Sequence, residues 1–348
     1  MRRLLRGFAA VAVSVAACTN TPGVLVPSRS SLPAPTTTTS DVTTSGSEST
    51  GVDPATDDAA DTDPTTDDNS STTESPPDAD TTPADGEPTT VATSGESGDT
   101  DGAREPTVST DPSPRLVGSY TVEVVATAPH DPTAYTQGLE LHNGRLLEST
   151  GKRGSSDRRW VDTLSGDVIA AESVGSDLFA EGLTIVGTEA YQLTYTAELL
   201  IVFDLDTLDE QRVLRYEGEG WGLCNNGAEL AMSNGTDVLT FRDPVTFEIT
   251  RRAPVRLNGD AVGLLNELEC ANGQVLANVY GIDQIVAIDP ATGEVEAVID
   301  ASPLRPMGAP AEDLDYVLNG IAHNPSSDTF FLTGKWWPTL FEVRFVAV

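Results

Sequence analysis

Lysine is almost missing from this 348-residue chain: it occurs only at positions 152 and 335, although arginine is common. Twenty Lys and Arg face 54 Asp and Glu, a formal net charge of −34. That deficit of positive charge argues against nucleic acid as a partner, because phosphate binding needs clustered basic side chains. It argues equally against direct adhesion to anionic lipid and weakly favours cationic partners through long-range attraction. Histidine appears only at 130, 142 and 323, in loop-like contexts without ligand spacing, which gives metal catalysis little support. Three cysteines are too few for a disulfide scaffold. No Gly-rich phosphate loop opens a helix, and no Gly-x-Ser-x-Gly elbow is present.

What is present falls into three zones. Arg2, Arg3 and Arg6 precede an apolar run from Phe8 to Ala17, too short for a stable membrane span but laid out as an export signal. Val15-Ala16-Ala17-Cys18 resembles a bacterial lipobox, so residues 1–18 are expected to be a lipoprotein signal peptide with Cys18 as the lipidation site. An ordinary signal peptide with an incidental cysteine is the alternative. Residues 19–115 are dominated by Thr, Ser, Pro, Asp and Gly, with very few aliphatics. Such a segment cannot bury enough apolar surface to offset its ordering entropy, and its acids repel one another. It is expected to be a disordered tether, reaching on the order of 55 Å root-mean-square as a flexible coil. The expected location is therefore outside the cytoplasmic membrane of a bacterium, held to the membrane by the lipid alone.

Residues 116–348 carry the fold. A short phrase recurs there at intervals of about 40–50 residues: Gln137-Gly138-Leu139, Glu181-Gly182-Leu183, Trp221-Gly222-Leu223, Glu267-Leu268-Glu269 and Asn319-Gly320-Ile321. Each is followed by a second strand bearing polar or aromatic groups, among them Thr150, Tyr195, Ser233, Asn234, Asn278, Tyr280 and Lys335. Strand-type alternation is easy to find, as in Tyr120–Val125 and Leu340–Phe345, while helical periodicity is not. Asn143-Gly144 and Asn272-Gly273 are hairpin turns, and the segments at 204–208, 243–247 and 289–293 are Asp-rich turns. The fold class expected is all-β, a five-bladed β-propeller with a monomer as the default state. Strand 119–126 is left over at the front and is expected to pair beside 339–347, because closure removes exposed sheet edges. Cys224 and Cys270 occupy equal positions in neighbouring units, and two buried free thiols are favoured over a bridge.

A propeller brings its opening phrases to one axis. Gln137, Glu181, Trp221, Asn266 and Asn319 would then converge with Glu148, Tyr195, Asn234, Tyr280 and Lys335 near one mouth. Those residues supply a carboxylate, a lysine, carboxamides and an aromatic wall. Burial of Glu181 would raise its pKa toward the range useful for proton transfer, and Lys335 could stabilise an oxyanion. A plain structural role is the competing reading for each: backbone capping for Glu181, packing for Trp221, turn bonding for Asn266. Glu267 and Glu269 are read as blade-pairing and surface groups, Glu148 as structural, and Trp336-Trp337-Pro338 as packing with Trp336 at the edge of the mouth.

The phrases Tyr135-Thr-Gln-Gly-Leu139, Glu181-Gly-Leu-Thr184, Gly218-Glu-Gly-Trp-Gly-Leu223, Leu265-Asn-Glu-Leu-Glu269, Leu318-Asn-Gly-Ile-Ala322 and Thr333-Gly-Lys335 resemble the plant-type and bacterial glutaminyl-peptide cyclotransferases, over nearly the whole of 117–346. The resemblance implies a five-bladed propeller that converts N-terminal glutaminyl residues of peptides or exported proteins to pyroglutamyl, releasing ammonia without zinc. It implies Glu181, Asn266 and Lys335 as catalytic residues, with Gln137, Trp221, Tyr135, Tyr195 and Tyr280 holding substrate. Where the family has Phe, this chain has Tyr135; where Trp is usual, it has Tyr195 and Tyr280. No cofactor is implied, although acidic and carbonyl groups in a channel are compatible with a structural calcium. A non-catalytic peptide-binding propeller and a metal-dependent propeller lactonase stand as alternatives.

Overall fold

The computed structural model describes residues 114–308 and 315–348. The expected signal segment, Cys18 and the tether up to residue 113 lie outside the described residues.

The first strand, β1 (Gly118–Pro129), is followed by a four-stranded antiparallel sheet of β2 (Thr136–His142), β3 (Arg145–Thr150), β4 (Asp157–Asp162) and β5 (Val168–Ser173). The next sheet repeats the pattern with β6 (Ala180–Val186), β7 (Glu189–Thr194), β8 (Leu199–Asp204) and β9 (Glu210–Arg215). A third has β10 (Leu223–Asn225), β11 (Leu230–Met232), β12 (Val238–Arg242) and β13 (Ile249–Pro254). A small hairpin, β14 (Arg256–Leu257) and β15 (Asp260–Ala261), precedes β16 (Leu265–Ala271), β17 (Gln274–Val279), β18 (Gln284–Ile288) and β19 (Val295–Asp300). The chain ends with β20 (Leu318–Asn324), β21 (Thr329–Gly334) and β22 (Thr339–Ala347). Among the described residues there is no α-helix, only a turn of 3₁₀ helix at Ser302–Leu304.

The turns carry out what their residues dictate. Asn143 and Gly144 both take positive φ, as do Asn272 and Gly273, which suits two-residue hairpins. Between the third and fourth strands, Asp162, Asp204, Asp243 and Asp289 each accept backbone N–H groups two and three residues ahead. These are Asx turns, in which a short carboxylate replaces a backbone acceptor.

The first strands of successive sheets touch in a closed ring: β2 against β6, β6 against β10, β10 against β16, β16 against β20, and β20 back to β2. Burial falls outward from that ring, so β7 is almost wholly buried and β9 almost wholly exposed. The apolar core is divided among the faces between neighbouring sheets. Leu147 and Trp160 meet Leu183 and Phe203 at one such face; Leu193 and Val202 meet Leu223 and Met232 at the next. The result is a β-propeller-like, all-β fold.

Closure follows the expected route and goes further. β1 pairs antiparallel with β22, from Tyr120 opposite Ala347 to Pro129 opposite Thr339. It also pairs parallel with β19, so the last two sheets merge into one of eight strands. The cysteines correct the sequence reading. Cys224 in β10 and Cys270 in β16 form a disulfide with Cα atoms 5.4 Å apart. The inner strands approach more closely than equal positions on adjacent blades would suggest, because Gly222 offers no Cβ to hold β16 away. The bridge spans 46 residues, worth about 4 kcal/mol in the chain-entropy account.

Candidate active site

Four of the inner strands lose register at the same place. The breaks fall between Thr136 and Gly138, Ala180 and Leu183, Leu265 and Leu268, and Leu318 and Ile321. They contain Gln137, Glu181, Asn266 and Asn319, and in the third sheet Trp221 lies just ahead of β10. A bulge re-aims the side chain it carries. Glycine makes the arrangement fit: a Cβ on Gly182 would lie 2.7 Å from the backbone of Trp221, Gly222 and Leu223, and one on Gly222 would strike the Asn266 carbonyl. The second strands hold these openings from outside. Ser149 donates to the Glu181 carbonyl at 2.5 Å, Ser233 to the Asn266 carbonyl at 2.6 Å, and the Gly220 and Gly182 amides are bonded to the carbonyls of Tyr195 and Trp221.

Glu181 is 5% exposed. Burial, its largest influence, raises its carboxyl well above the ordinary value; Lys335 and Lys152 oppose this, Glu219 reinforces it, and no hydrogen bond relieves it among the described residues. Lys335, at the end of β21, is 3% exposed, and burial lowers its pKa to about 8 against the opposing pull of Glu181 and Asp315. Its ammonium lies 4.6 Å from the Tyr135 ring centre and 5.2 Å from that of Tyr280. The acid and the lysine thus share one environment while neither is held in an ion pair with the other among the described residues.

An aromatic wall surrounds them. Tyr135 packs edge-on against Phe179 at 6.0 Å and Trp336 at 4.8 Å; Phe179 meets Tyr195 at 5.8 Å; Trp221 meets Tyr280 at 5.8 Å. The Trp221 indole N–H donates to Glu219 at 3.0 Å. Gln137 is buried, and its carboxamide oxygen accepts from Asn319 at 3.2 Å. Asn266 is buried in the bulge of β16 beside Gly222.

Several residues depart from the sequence reading. Asn234 caps its own turn by accepting from the Thr236 amide and hydroxyl. The fourth opening is Asn266-Glu267-Leu268, one residue earlier than the phrase Glu267-Leu268-Glu269 suggested, so Glu267 is buried where the other openings carry glycine; one oxygen accepts from the Leu139 amide at 3.3 Å across the ring, and the other has no hydrogen-bond partner among the described residues. It does join sheets, but it is no surface group. Glu269 is half-buried, with its pKa pushed well up by burial and by Glu140 and Glu267. Burial likewise raises Glu140 to about 7. Among the described residues no group of three His, Cys, Asp or Glu side chains is placed to hold a metal ion.

Glu148 is structural, as expected. It accepts from Thr136 at 2.7 Å and Arg159 at 2.9 Å, and pairs with His130 at 3.0 Å. Burial would raise its pKa, but His130 and then Arg159 and Thr136 overcome that and bring it to about 2. His130 lies in the loop after β1, as expected, but is buried between Glu148 and the Trp337 carbonyl; burial lowers its pKa, and Glu148 and then that carbonyl outweigh it and raise it. His142 and His323, also read as loop residues, lie instead in β2 and β20. The sequence reading missed Phe179, Lys152, Glu219 and Asp315. Phe179 could have been found, because it stands two residues before Glu181, as Tyr135 stands two before Gln137. Asp315 lies in no repeat and had no signal.

The fold and this acid–lysine cup define a β-propeller-like protein with a buried polar site ringed by aromatics. The glutamine cyclotransferase family model matches residues 101–345, and the chain belongs to that family. It is 39% identical over 227 residues to the glutaminyl-peptide cyclotransferase of Arabidopsis thaliana, covering 64% of this chain and 71% of the relative. The crystal structure of Myxococcus xanthus glutaminyl cyclase is 41% identical, with a TM-score of 0.63 over 68% of this chain and all of the other.

Proposed function

We infer that the protein is a glutaminyl-peptide cyclotransferase, an enzyme of the aminoacyltransferase type acting on N-terminal glutaminyl peptides or exported proteins. The observation that carries the reading is a buried acid and a buried lysine facing one aromatic wall, Glu181 in the bulge of β6 and Lys335 between the rings of Tyr135 and Tyr280. In the reaction the substrate's neutral α-amine attacks the δ-carbon of its own side-chain amide. One C–N bond forms and the carbonyl oxygen gains negative charge. Glu181 takes the proton from the attacking nitrogen and gives it to the departing amide nitrogen, the original C–N bond breaks, and ammonia leaves. Burial raises this carboxyl, which makes it a better acceptor for the amine proton and able to pass that proton on to the leaving nitrogen. Lys335, protonated below about pH 8, and the Asn266 carboxamide stabilise the oxyanion. Gln137 orients the glutamine side chain, while Tyr135, Tyr195, Trp221 and Tyr280 hold the substrate and exclude water. Every proton moves through side chains, so the reaction needs no zinc or other cofactor.

The ring of inner strands is read as the axis of a five-bladed propeller spanning 116–348. An export signal at 1–18, lipidation at Cys18 and the tether of 19–115 would display it as a monomer on the outer face of a bacterial cytoplasmic membrane. The test is a coupled ammonia assay on a short Gln-Ala peptide, with and without a chelator. Release that survives chelation is expected. Peptide binding without release would assign a binding module, and activity lost on chelation would overturn the metal-free route.

A further inference from the structure

The tyrosines that replace Phe at 135 and Trp at 280 keep an aromatic ring and add a hydroxyl. Both hydroxyls reach the same carboxylate: Tyr135 donates to Asp315 at 2.9 Å and Tyr280 to the same oxygen at 3.5 Å. The other oxygen of Asp315 lies 3.5 Å from the Lys152 ammonium. Lys152 in turn sits 3.9 Å from the Tyr135 ring centre and 5.1 Å from that of Trp336. The two rings tied to Asp315 are the two that flank the Lys335 ammonium. The only two lysines of the chain therefore lie around one ring, one buried and one at the rim, with a carboxylate joining the set from a segment outside the repeats.

We propose that Asp315 is a positioning residue for Lys335: by accepting from both tyrosines, whose rings flank the ammonium, it fixes the aromatic seat of the lysine. The idea rests on the cyclase reading of the site. A ring free to rotate would let the ammonium drift from the developing oxyanion, and small misplacements of a catalytic group are costly. Asp315 and Lys152 form a partly exposed pair, in which a direct Coulomb contribution to stability is small; holding ring geometry is what the arrangement achieves. Among the described residues, the charged and titratable groups facing Lys335 are Glu181 from β6, Asp315 ahead of β20, Lys152 after β3, and the hydroxyls of Tyr135 and Tyr280. Glu181 and Asp315 raise its pKa and Lys152 lowers it.

The test uses Asp315→Asn and the double variant Tyr135→Phe/Tyr280→Phe, both in the full chain. Steady-state ammonia release is measured across pH. The ionisation of Lys335 is followed separately by NMR after ¹³C-lysine labelling, which gives two side-chain environments because there are two lysines. Asp315→Asn is expected to lower kcat about tenfold with KM changed less than about twofold. It should also move the alkaline limb and the Lys335 midpoint below the wild-type value of about 8. The double variant should lose kcat while its Lys335 midpoint stays above that of Asp315→Asn, since the charge remains. An Asp315→Asn protein with unchanged kcat and midpoint overturns the proposal. So does a loss of kcat that tracks a loss of folded protein while the midpoint stays put. If wild type releases no ammonia yet the midpoint still falls in Asp315→Asn, the cyclase reading fails and the seat for Lys335 stands.

Discussion

Replacing Glu181 by Gln separates the site's chemistry from its stability, because the two should move in opposite directions. The carboxamide keeps the shape of the side chain but cannot carry a proton between the attacking amine and the departing ammonia. General acid–base groups contribute about 10²–10⁴-fold, equivalent to about 2.7–5.4 kcal/mol of barrier at 1.36 kcal/mol per decade. Glu181 also holds the pKa of Lys335 up, so in the variant the lysine loses its proton below pH 8 and residual activity should fade earlier on the alkaline side. Stability has the other sign. A carboxyl whose folded pKa is raised favours the folded state below its unfolded value, and that contribution is lost as pH rises through the folded value. At pH 8, above the unfolded value, the raised carboxyl therefore costs the wild type folding stability that the neutral Gln does not lose. The expected result is a kcat/KM lower by about 10²–10⁴ with a Tm at pH 8 equal to or above wild type. Calorimetry and the ammonia assay on one preparation decide it. Retained activity, or loss accompanied by a lower Tm, would refute the assignment of Glu181 as the proton carrier.

Three further outcomes follow from the same structure. Gly182→Ala should destabilise by about 1–3 kcal/mol or more, read from urea midpoints, and should depress activity beyond the loss of folded protein, because the new Cβ meets backbone beside Glu181. Reducing the Cys224–Cys270 bridge, or replacing both cysteines by serine, should lower stability by up to about 4 kcal/mol while leaving KM unchanged in the folded fraction, since the bridge joins inner strands within an apolar cluster and neither cysteine belongs to the aromatic wall. Glu148→Gln should cost about 3–5 kcal/mol by leaving Arg159 and His130 without their buried anion. Its difference from wild type should be largest near pH 5–6. It should shrink as acid protonates Glu148 on the way from about 4.5 to about 2, and again as pH rises through the raised pKa of His130. A pH-independent gap in Tm would contradict the charge pairing.

Much of the fold was legible in the chain. The spacing of Gln137, Glu181, Trp221 and Asn319 before Gly, the Asn-Gly hairpins and the Asp-rich turns are local features whose physics is complete within a few residues. The pairing of β1 with β22 could be anticipated because a leftover strand and an unfinished sheet are both visible. The convergence of Glu181 and Lys335 followed from topology once the repeats were seen.

Other features depended on contacts between residues far apart. The parallel pairing of β1 with β19, the disulfide between β10 and β16, and the burial of Glu267 at a position that is glycine elsewhere all turn on how closely the inner strands approach. Sequence spacing does not report that distance. His130 is a loop residue, as its context suggested, but its burial against Glu148 and the Trp337 carbonyl was not visible in the chain. Asp315 is the extreme case: it belongs to no repeat, and its meaning comes from two tyrosines about 180 and 35 residues away. The chain alone determined its repeats, its turns and which residue types would gather at the axis, because those rest on local backbone preference and periodic burial. The tertiary structure decided which of them are buried, paired and ionised, because desolvation and Coulomb forces act through space and are set by neighbours that sequence order does not name.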